Sequence, residues 1–343
     1  MPLTVNVKNA RLNGMALAKV GSPARDEPLQ TSRDLCQFSE EDTQLLTGLL
    51  LKPFRSLEPY HLDHHADVTN NDLHRHVTAI FEDGAALLEE GANIARLLYE
   101  KSTHPQIKAG DLCTALLDDL IIEGGTVQGL AIVKSETTAP FLQICEVDGD
   151  LRLLTQQGIQ PEKIDKGCLI LNFRSEAGYV VYLYDKSGGS TQLWTREFVH
   201  ASPVKDEDYL TKRYSELCVA FAEQGLAEES PQPERIEVAR KTIDYIAEAE
   251  DFNLKEFEQT ALAEPELIDR FQTFKSQYEE AEGESLEEEF TVSKPEAKKA
   301  KKKLKSRVKL DVGVDMKFSS AFLDQAESFL ERGFDEDKHM QYV

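Results

Sequence analysis

Residues 110–135 read GDLCTALLDDLIIEGGTVQGLAIVKS, and this stretch decides the fold class. Two apolar runs flank Glu123-Gly124-Gly125, where glycine takes positive φ at no steric cost and turns the chain tightly. The stretch predicts a β-hairpin. FLQICEV (141–147), the turn pair Asp148-Gly149 and LRLLTQ (151–156) predict a second one. GCLILNF (167–173), GYVVYLYD (178–185) and QLWTREFV (192–199) supply three more candidate strands. Their connections, Arg174–Ala177 and Lys186–Ser190, are too short for helical crossovers, which favours an antiparallel meander over βαβ units.

Upstream, TVNVKNARLN (4–13) alternates loosely and reads as an opening strand. Ser39 ahead of Glu40, Glu41 and Asp42 marks a helix start, because the hydroxyl satisfies a free N–H and the acids complement the helix dipole. Over 69–101, Leu73, Val77, Ile80, Gly84, Leu87, Gly91, Ile94 and Leu98 recur at spacings of four and three. That is one face of a long helix, with Thr69 and Asp72 as its capping pair. Each glycine in the stripe costs about 1 kcal/mol relative to Ala. Close approach of another backbone would account for them; a tolerated weakness in the helix is the alternative.

Downstream of about residue 205 the period becomes helical: DEDYLTKRYSELCVAFAEQG, PERIEVARKTIDYIAEAE, LKEFEQTALA and PELIDRFQTFKSQYEEAE. Pro233 suits a first helical turn and Gly225 a stop. Near the end, Val308, Leu310, Val312, Val314, Met316 and Phe318 alternate with polar residues or glycine and predict a half-buried strand. Ser319 or Ser320 would cap a last helix that Gly333 stops. The expected fold class is α+β: a largely antiparallel or mixed sheet packed with a long helix, then a helical region, then a strand and helix. That last strand is a candidate to return to the first sheet. The expected boundaries are an α+β domain over 1–203, a helical domain over 204–290, a charged basic connector over 291–307, and a terminal strand and helix over 308–343.

The chain has 343 residues, 62 Asp plus Glu and 39 Lys plus Arg, for a net charge of −23. No apolar run approaches the roughly 18 residues of a spanning helix, so an integral membrane protein is excluded and no membrane partner is expected. MPLTVNVKNARLNG lacks the basic and apolar regions of a secretory signal. Cys36, Cys113, Cys145, Cys168 and Cys218 are dispersed, without CxxC, so neither a disulfide framework nor structural zinc is expected. A cytoplasmic protein follows. Net acidity argues against phosphate binding until the charge is split by position. KPEAKKAKKKLKSRVK (294–309) holds nine Lys or Arg and one Glu, net +8, against −31 for the remainder. Just before it, seven glutamates fall between Glu279 and Glu289.

Lysine density of this kind suits sequence-independent contact with phosphates, and the run has no interleaved aromatic to stack on bases. A solvated linker paired with the glutamate run is the plainer reading. HLDHHADVTNNDLHRH gathers His61, His64, His65, His74 and His76 with Asp63, Asp67 and Asp72. These are metal-ligand types, yet no defined ligand motif such as HExxH appears, and polar loop and helix-start residues describe them better. Gly188-Gly189 lies between strands without GxxxxGK[ST] and reads as a hairpin loop. Nothing specifies a catalytic reaction, a cofactor or a metal.

Several long phrases occur in one order: LLKPFRS (50–56), HVTAIFED (76–83), LYEKSTHPQIKAGDL (98–112), DKGCLILNF (165–173) and GYVVYLYDKSGGSTQLWTREF (178–198). KDEDYLTKRYSELCVAF (205–221), SRVKLD (306–311) and RGFDEDKHMQY (332–342) continue it. In these phrases the chain resembles the bacterial 37-kDa nucleoid-associated protein family (NdpA-like). The resemblance implies a cytoplasmic protein that localises to the nucleoid and binds double-stranded DNA. It brings no catalytic residues. The histidines of 61–76 and the lysine density of 298–305 exceed what it leads one to expect.

The two readings meet at the basic segment. Lys298, Lys299, Lys301, Lys302, Lys303, Lys305 and Arg307 are the candidate phosphate contacts, with Lys212, Arg213, Lys52 and Arg55 as weaker ones. The expected function is non-enzymatic binding of duplex DNA by a local basic surface on an acidic body. The alternative is an acidic adaptor that reaches the nucleoid through a DNA-processing protein; a nuclease built on the His/Asp cluster is a distant third. Any unburied remainder of the long helix stripe would support a homodimer.

Overall fold

The computed structural model describes residues 3–54, 57–160, 164–175, 178–186, 192–226, 232–305, 307–309, 315–317, 333–335 and 340–342. The chain divides into two compact units, one of Leu3–Val204 and one from Lys205 onward.

In the first unit the strands are β1 (Val5–Asn6), β2 (Arg11–Val20), β3 (Gln30–Thr31), β4 (Pro59–Leu62), β5 (Gly110–Ile122) and β6 (Gly125–Ser135). They continue with β7 (Thr138–Val147), β8 (Asp150–Ile159), β9 (Lys166–Ser175), β10 (Gly178–Asp185) and β11 (Ala201–Pro203). Among the described residues, a 9-stranded sheet runs β11-β4-β10-β9-β6-β5-β2-β3, with β1 also paired to β5. Its pairs are antiparallel. The meander holds as expected, except that β7 and β8 pair only with each other, as a separate ribbon. Both hairpin turns place two consecutive residues at positive φ, Glu123-Gly124 (49° and 75°) and Asp148-Gly149 (56° and 80°). Such turns match the twist of the strands they join.

The sheet is apolar on both faces. On one, Leu112, Leu130, Ile132, Ile170 and Val181 pack with α2 (Asp72–Glu82) and α3 (Leu87–Lys101). On the other, Ala115, Leu117, Val133, Leu169 and Val180 pack with Leu50, Leu51 and Phe54, the first two from α1 (Glu40–Leu51). Covering both faces explains why the central strands read as continuous apolar runs. Ser39 caps α1 as expected, accepting the Asp42 N–H at 3.1 Å.

Four expectations are corrected here. The helix over 69–101 is two helices, because the Asp83 carboxylate accepts the Ala85 N–H and starts a separate 3-10 turn at Gly84–Ala86. Its cap is Asn71 and not Thr69, which lies in a 3-10 turn (Val68–Asn70) capped by Asp67. QLWTREFV is a π-helix over Gln192–Val199, not a strand. Trp194 and Phe198, four residues apart, both turn into the core with ring centroids 4.9 Å apart. The opening strand is divided between the two-residue β1 and the long β2. The Gly188-Gly189 loop lies outside the described residues.

The second unit starts with α4 (Glu207–Ala220), which widens into a π turn ending at Gly225. Then follow α5 (Gln232–Glu248), β12 (Asp251–Asn253), α6 (Leu254–Phe257), α7 (Pro265–Glu282), β13 (Glu289–Thr291) and α8 (Lys294–Lys305). Tyr214, Phe221, Phe252, Phe257 and Phe271 form its buried centre. The segment expected as a basic connector is therefore the helix α8.

Beyond it, β14 (Arg307–Lys309) pairs with β15 (Asp315–Lys317), Val308 opposite Met316. The two ends of the alternating run pair with each other and form their own ladder. One strand and two antiparallel strands carry the same alternation, so sequence did not separate them. Gly333, expected to stop a helix, begins β16 (Gly333–Asp335), which pairs with β17 (Met340–Tyr342). The helix expected over 319–332 lies outside the described residues.

Candidate nucleic-acid interface

Helix α8 is built by a cap, an apolar seam and a cationic outer face. Ser293 receives the Glu296 N–H on its hydroxyl at 3.4 Å, and its own N–H is held by Thr211 Oγ1 at 2.9 Å. Pro295 sits in the first turn, where its missing N–H removes no helical bond. Ala297 is buried, and Ala300 and Leu304 pack on the second unit's core. This three-four spacing turns one side of the helix inward.

Two lysines fasten the flanks. Lys294 Nζ donates to the carbonyl oxygens of Ala247, Glu248 and Ala249 at the end of α5, where the helix dipole is negative. Lys301 Nζ forms an ion pair of 2.6 Å with Asp244 of α5.

The remaining lysines face out. At about 100° per residue, Lys298, Lys302, Lys299 and Lys303 span an arc of roughly 140° opposite the Ala297–Leu304 seam. All four are exposed. Lys299 also meets Glu296 on its own helix. Of the seven candidates, four thus share one solvent face and Lys301 sits on its flank. Lys305 ends the helix and Arg307 starts β14.

The glutamate run has other partners. Glu279 accepts from Lys275 (2.6 Å) and from the Leu286 N–H, and Glu282 pairs with Arg213 at 2.9 Å. Glu284 meets Lys205 at 3.3 Å, and Glu289 meets Asn253. Arg213, one of the weaker candidates, also lies 5.2 Å over the Tyr278 ring and belongs to the helical core's edge. Lys52 is exposed at the end of α1, Lys212 is half-buried on α4, and Arg55 lies outside the described residues.

The histidine segment is a structural clamp. His61 lies in β4, His74 is buried against the Tyr179 ring, and His76 Nδ1 meets Glu90 at 2.5 Å. Burial pushes the His61 imidazole below its ordinary range, against the pull of Asp63. Asn71, which sequence reasoning passed over, organises the region. Its Nδ2 donates to the carbonyls of Asp63, Val199 and His200 at 3.0, 3.0 and 3.2 Å. Its Oδ1 accepts the His74 N–H and caps α2. Among the described residues, no three His, Cys, Asp or Glu side chains are grouped to hold a metal ion. The five cysteines are free thiols, with Cys168 and Cys218 buried.

A family model described as nucleoid-associated protein YejK matches residues 19–339. The chain belongs to this nucleoid-associated family. The match reaches from the end of β2 through most of both units, and includes α8, the β14–β15 ladder and β16. No curated protein matches the chain. Membership associates the protein with the bacterial nucleoid and its DNA. No helix among the described residues is long and apolar enough to cross a membrane.

Proposed function

We propose that the protein binds duplex DNA directly and without a chemical step, through phosphate contacts from the basic segment. The observation that carries this reading is the outer face of α8, where Lys298, Lys299, Lys302 and Lys303 are exposed while the opposite side is anchored in a core. A helix held in this way presents its charges without ordering a tether on binding, which limits the entropic cost of association. Lys301, Lys305 and Arg307 complete the set. Lysine acts as a compact point charge, so the contacts neutralise phosphates and leave base sequence unread. The acidic remainder would oppose contact elsewhere and confine binding to this face.

A fluorescence-anisotropy titration on duplex DNA at several salt concentrations tests it. With about six phosphates neutralised, log K falls against log[salt] at a slope of about −5. Replacing Lys298, Lys299, Lys301, Lys302, Lys303, Lys305 and Arg307 by Gln removes most of the affinity and flattens the slope. Unchanged binding would overturn the assignment of these residues. Absence of binding by the purified wild-type chain at low salt would favour the acidic adaptor acting through a DNA-processing partner.

A further inference from the structure

The β7–β8 ribbon leaves its apolar side chains in water. Leu142 stands opposite Thr155, Ile144 opposite Leu153, and Glu146 opposite Leu151. Residues directly opposite share a face, so Leu142, Ile144, Leu151 and Leu153 make one contiguous patch. They are 67%, 71%, 72% and 63% exposed. The other face carries Phe141 and Leu154, less exposed at 47% and 39%, and Phe141 lies so close over Gly158 that a Cβ there would stand 2.9 Å from its ring. A two-stranded hairpin is marginal alone in water, and an uncovered apolar strand pair invites association.

The ribbon is nonetheless firmly rooted. The Asp165 carboxylate accepts the N–H groups of Glu136 and Thr137 at 2.7 and 3.2 Å, and the Asp165 N–H donates to Lys134 O at 3.1 Å. Lys134 Nζ is held by Lys108 O at 2.7 Å and Glu136 at 2.9 Å. Both ends of the stem are tied together where the ribbon leaves the sheet.

The geometry points to this apolar face as the interface between two copies of the chain. The four side chains expose on the order of 500 Å² per copy, near the top of the range for the largest patch on a monomer. Two such faces together bury about 1,000 Å², the threshold for a specific interface. A ribbon face also satisfies two-fold symmetry by itself. With the ribbons antiparallel, the Leu/Ile middle meets its own copy, and Glu146, on the same face near the tip, meets the uncharged Thr138, Pro140 and Gln157. The Leu/Ile patch carries no cation, and Glu146 beside it repels a nucleic acid or an anionic bilayer from this face.

Sedimentation velocity of the full chain from about 1 to 100 μM tests the proposal, and a reversible dimer is expected in that range. Ile144→Thr with Leu153→Thr places strand-favouring β-branched residues at both positions and weakens the dimer on the order of 100-fold. Leu153→Cys forms an intermolecular disulfide under mild oxidation, while native Cys145, on the opposite face, serves as the control and does not. A wild-type chain that stays monomeric at about 100 μM overturns the proposal. So does a double variant that dimerises as tightly as wild type, or cross-linking through Cys145 as fast as through Leu153→Cys.

Discussion

Gly91 of α3 lies against Ala16 of β2 so closely that a Cβ on Gly91 would stand 2.8 Å from the Ala16 Cβ. Helix and sheet meet there with no room for a side chain, which answers why an apolar helix stripe carries glycine. Gly84 has another role: it lies where the two helices part, and a Cβ there would meet only Leu116 Cδ2, at 3.4 Å. Gly91→Ala gains about 1 kcal/mol of helix propensity and loses about 1–3 kcal/mol to overpacking. The expected result in urea unfolding is a net loss for Gly91→Ala and little change for Gly84→Ala.

Asn71 does two jobs with one amide. Asn71→Ala removes a cap and takes a donor from three carbonyls, of which His200 O keeps the Asp63 N–H at 2.7 Å, for a loss of about 2–4 kcal/mol. Asn71→Asp keeps the acceptor for the His74 N–H but turns a carboxylate oxygen towards the same carbonyls. It should be no better than alanine by denaturant midpoint, although it would be an ordinary cap elsewhere.

Acid should weaken the first unit in the histidine range. His61 and His200 are both pushed down, by burial foremost, with Lys101 adding to the effect at His200. A lowered folded-state value means the unfolded chain takes up protons first. Stability is therefore fully present above the ordinary histidine value of about 6.5 and declines as pH falls below it. Asp63 is also held low, chiefly by the Ser202 hydroxyl, so its contribution is lost only in the carboxylate range. Urea midpoints at pH 7.5 and 5.5 check this; His61→Gln with His200→Gln should shrink the difference between them.

Lys294 allows a structural lysine to be told from those proposed to bind DNA. Its Nζ closes the end of α5, so Lys294→Gln should destabilise the second unit by up to about 1 kcal/mol. It should shift the DNA salt slope by less than about 1. Lys298→Gln with Lys302→Gln should do the reverse. Thermal melts and DNA titrations on the same preparations distinguish the two.

What sequence revealed depended on how local the cause was. Glu123-Gly124 and Asp148-Gly149 announce their hairpins because two residues suffice to make each turn. The break at Asp83-Gly84 was hidden because α2 and α3 feed the same core, so the apolar spacing continues across it. QLWTREFV is short enough to read as a strand, although Trp194 and Phe198 already stand at helical spacing. In α8 the Ala297, Ala300 and Leu304 seam was present but masked by the lysines around it. Asn71 could not be read, since its three carbonyl partners lie up to 129 positions away.

Like charges one helical turn apart oppose one another, and Lys298 with Lys302 and Lys299 with Lys303 are two such pairs, each disfavouring the helix by a few tenths of a kcal/mol. Salt then acts on α8 in two senses. Added ions relieve the repulsion and steady the helix, while they would weaken the DNA contact proposed for this face. At low ionic strength a phosphate chain bound as proposed would supply that relief itself. Occupancy would show as a rise in the melting point of the second unit, largest in dilute buffer and fading as ions take over the same task.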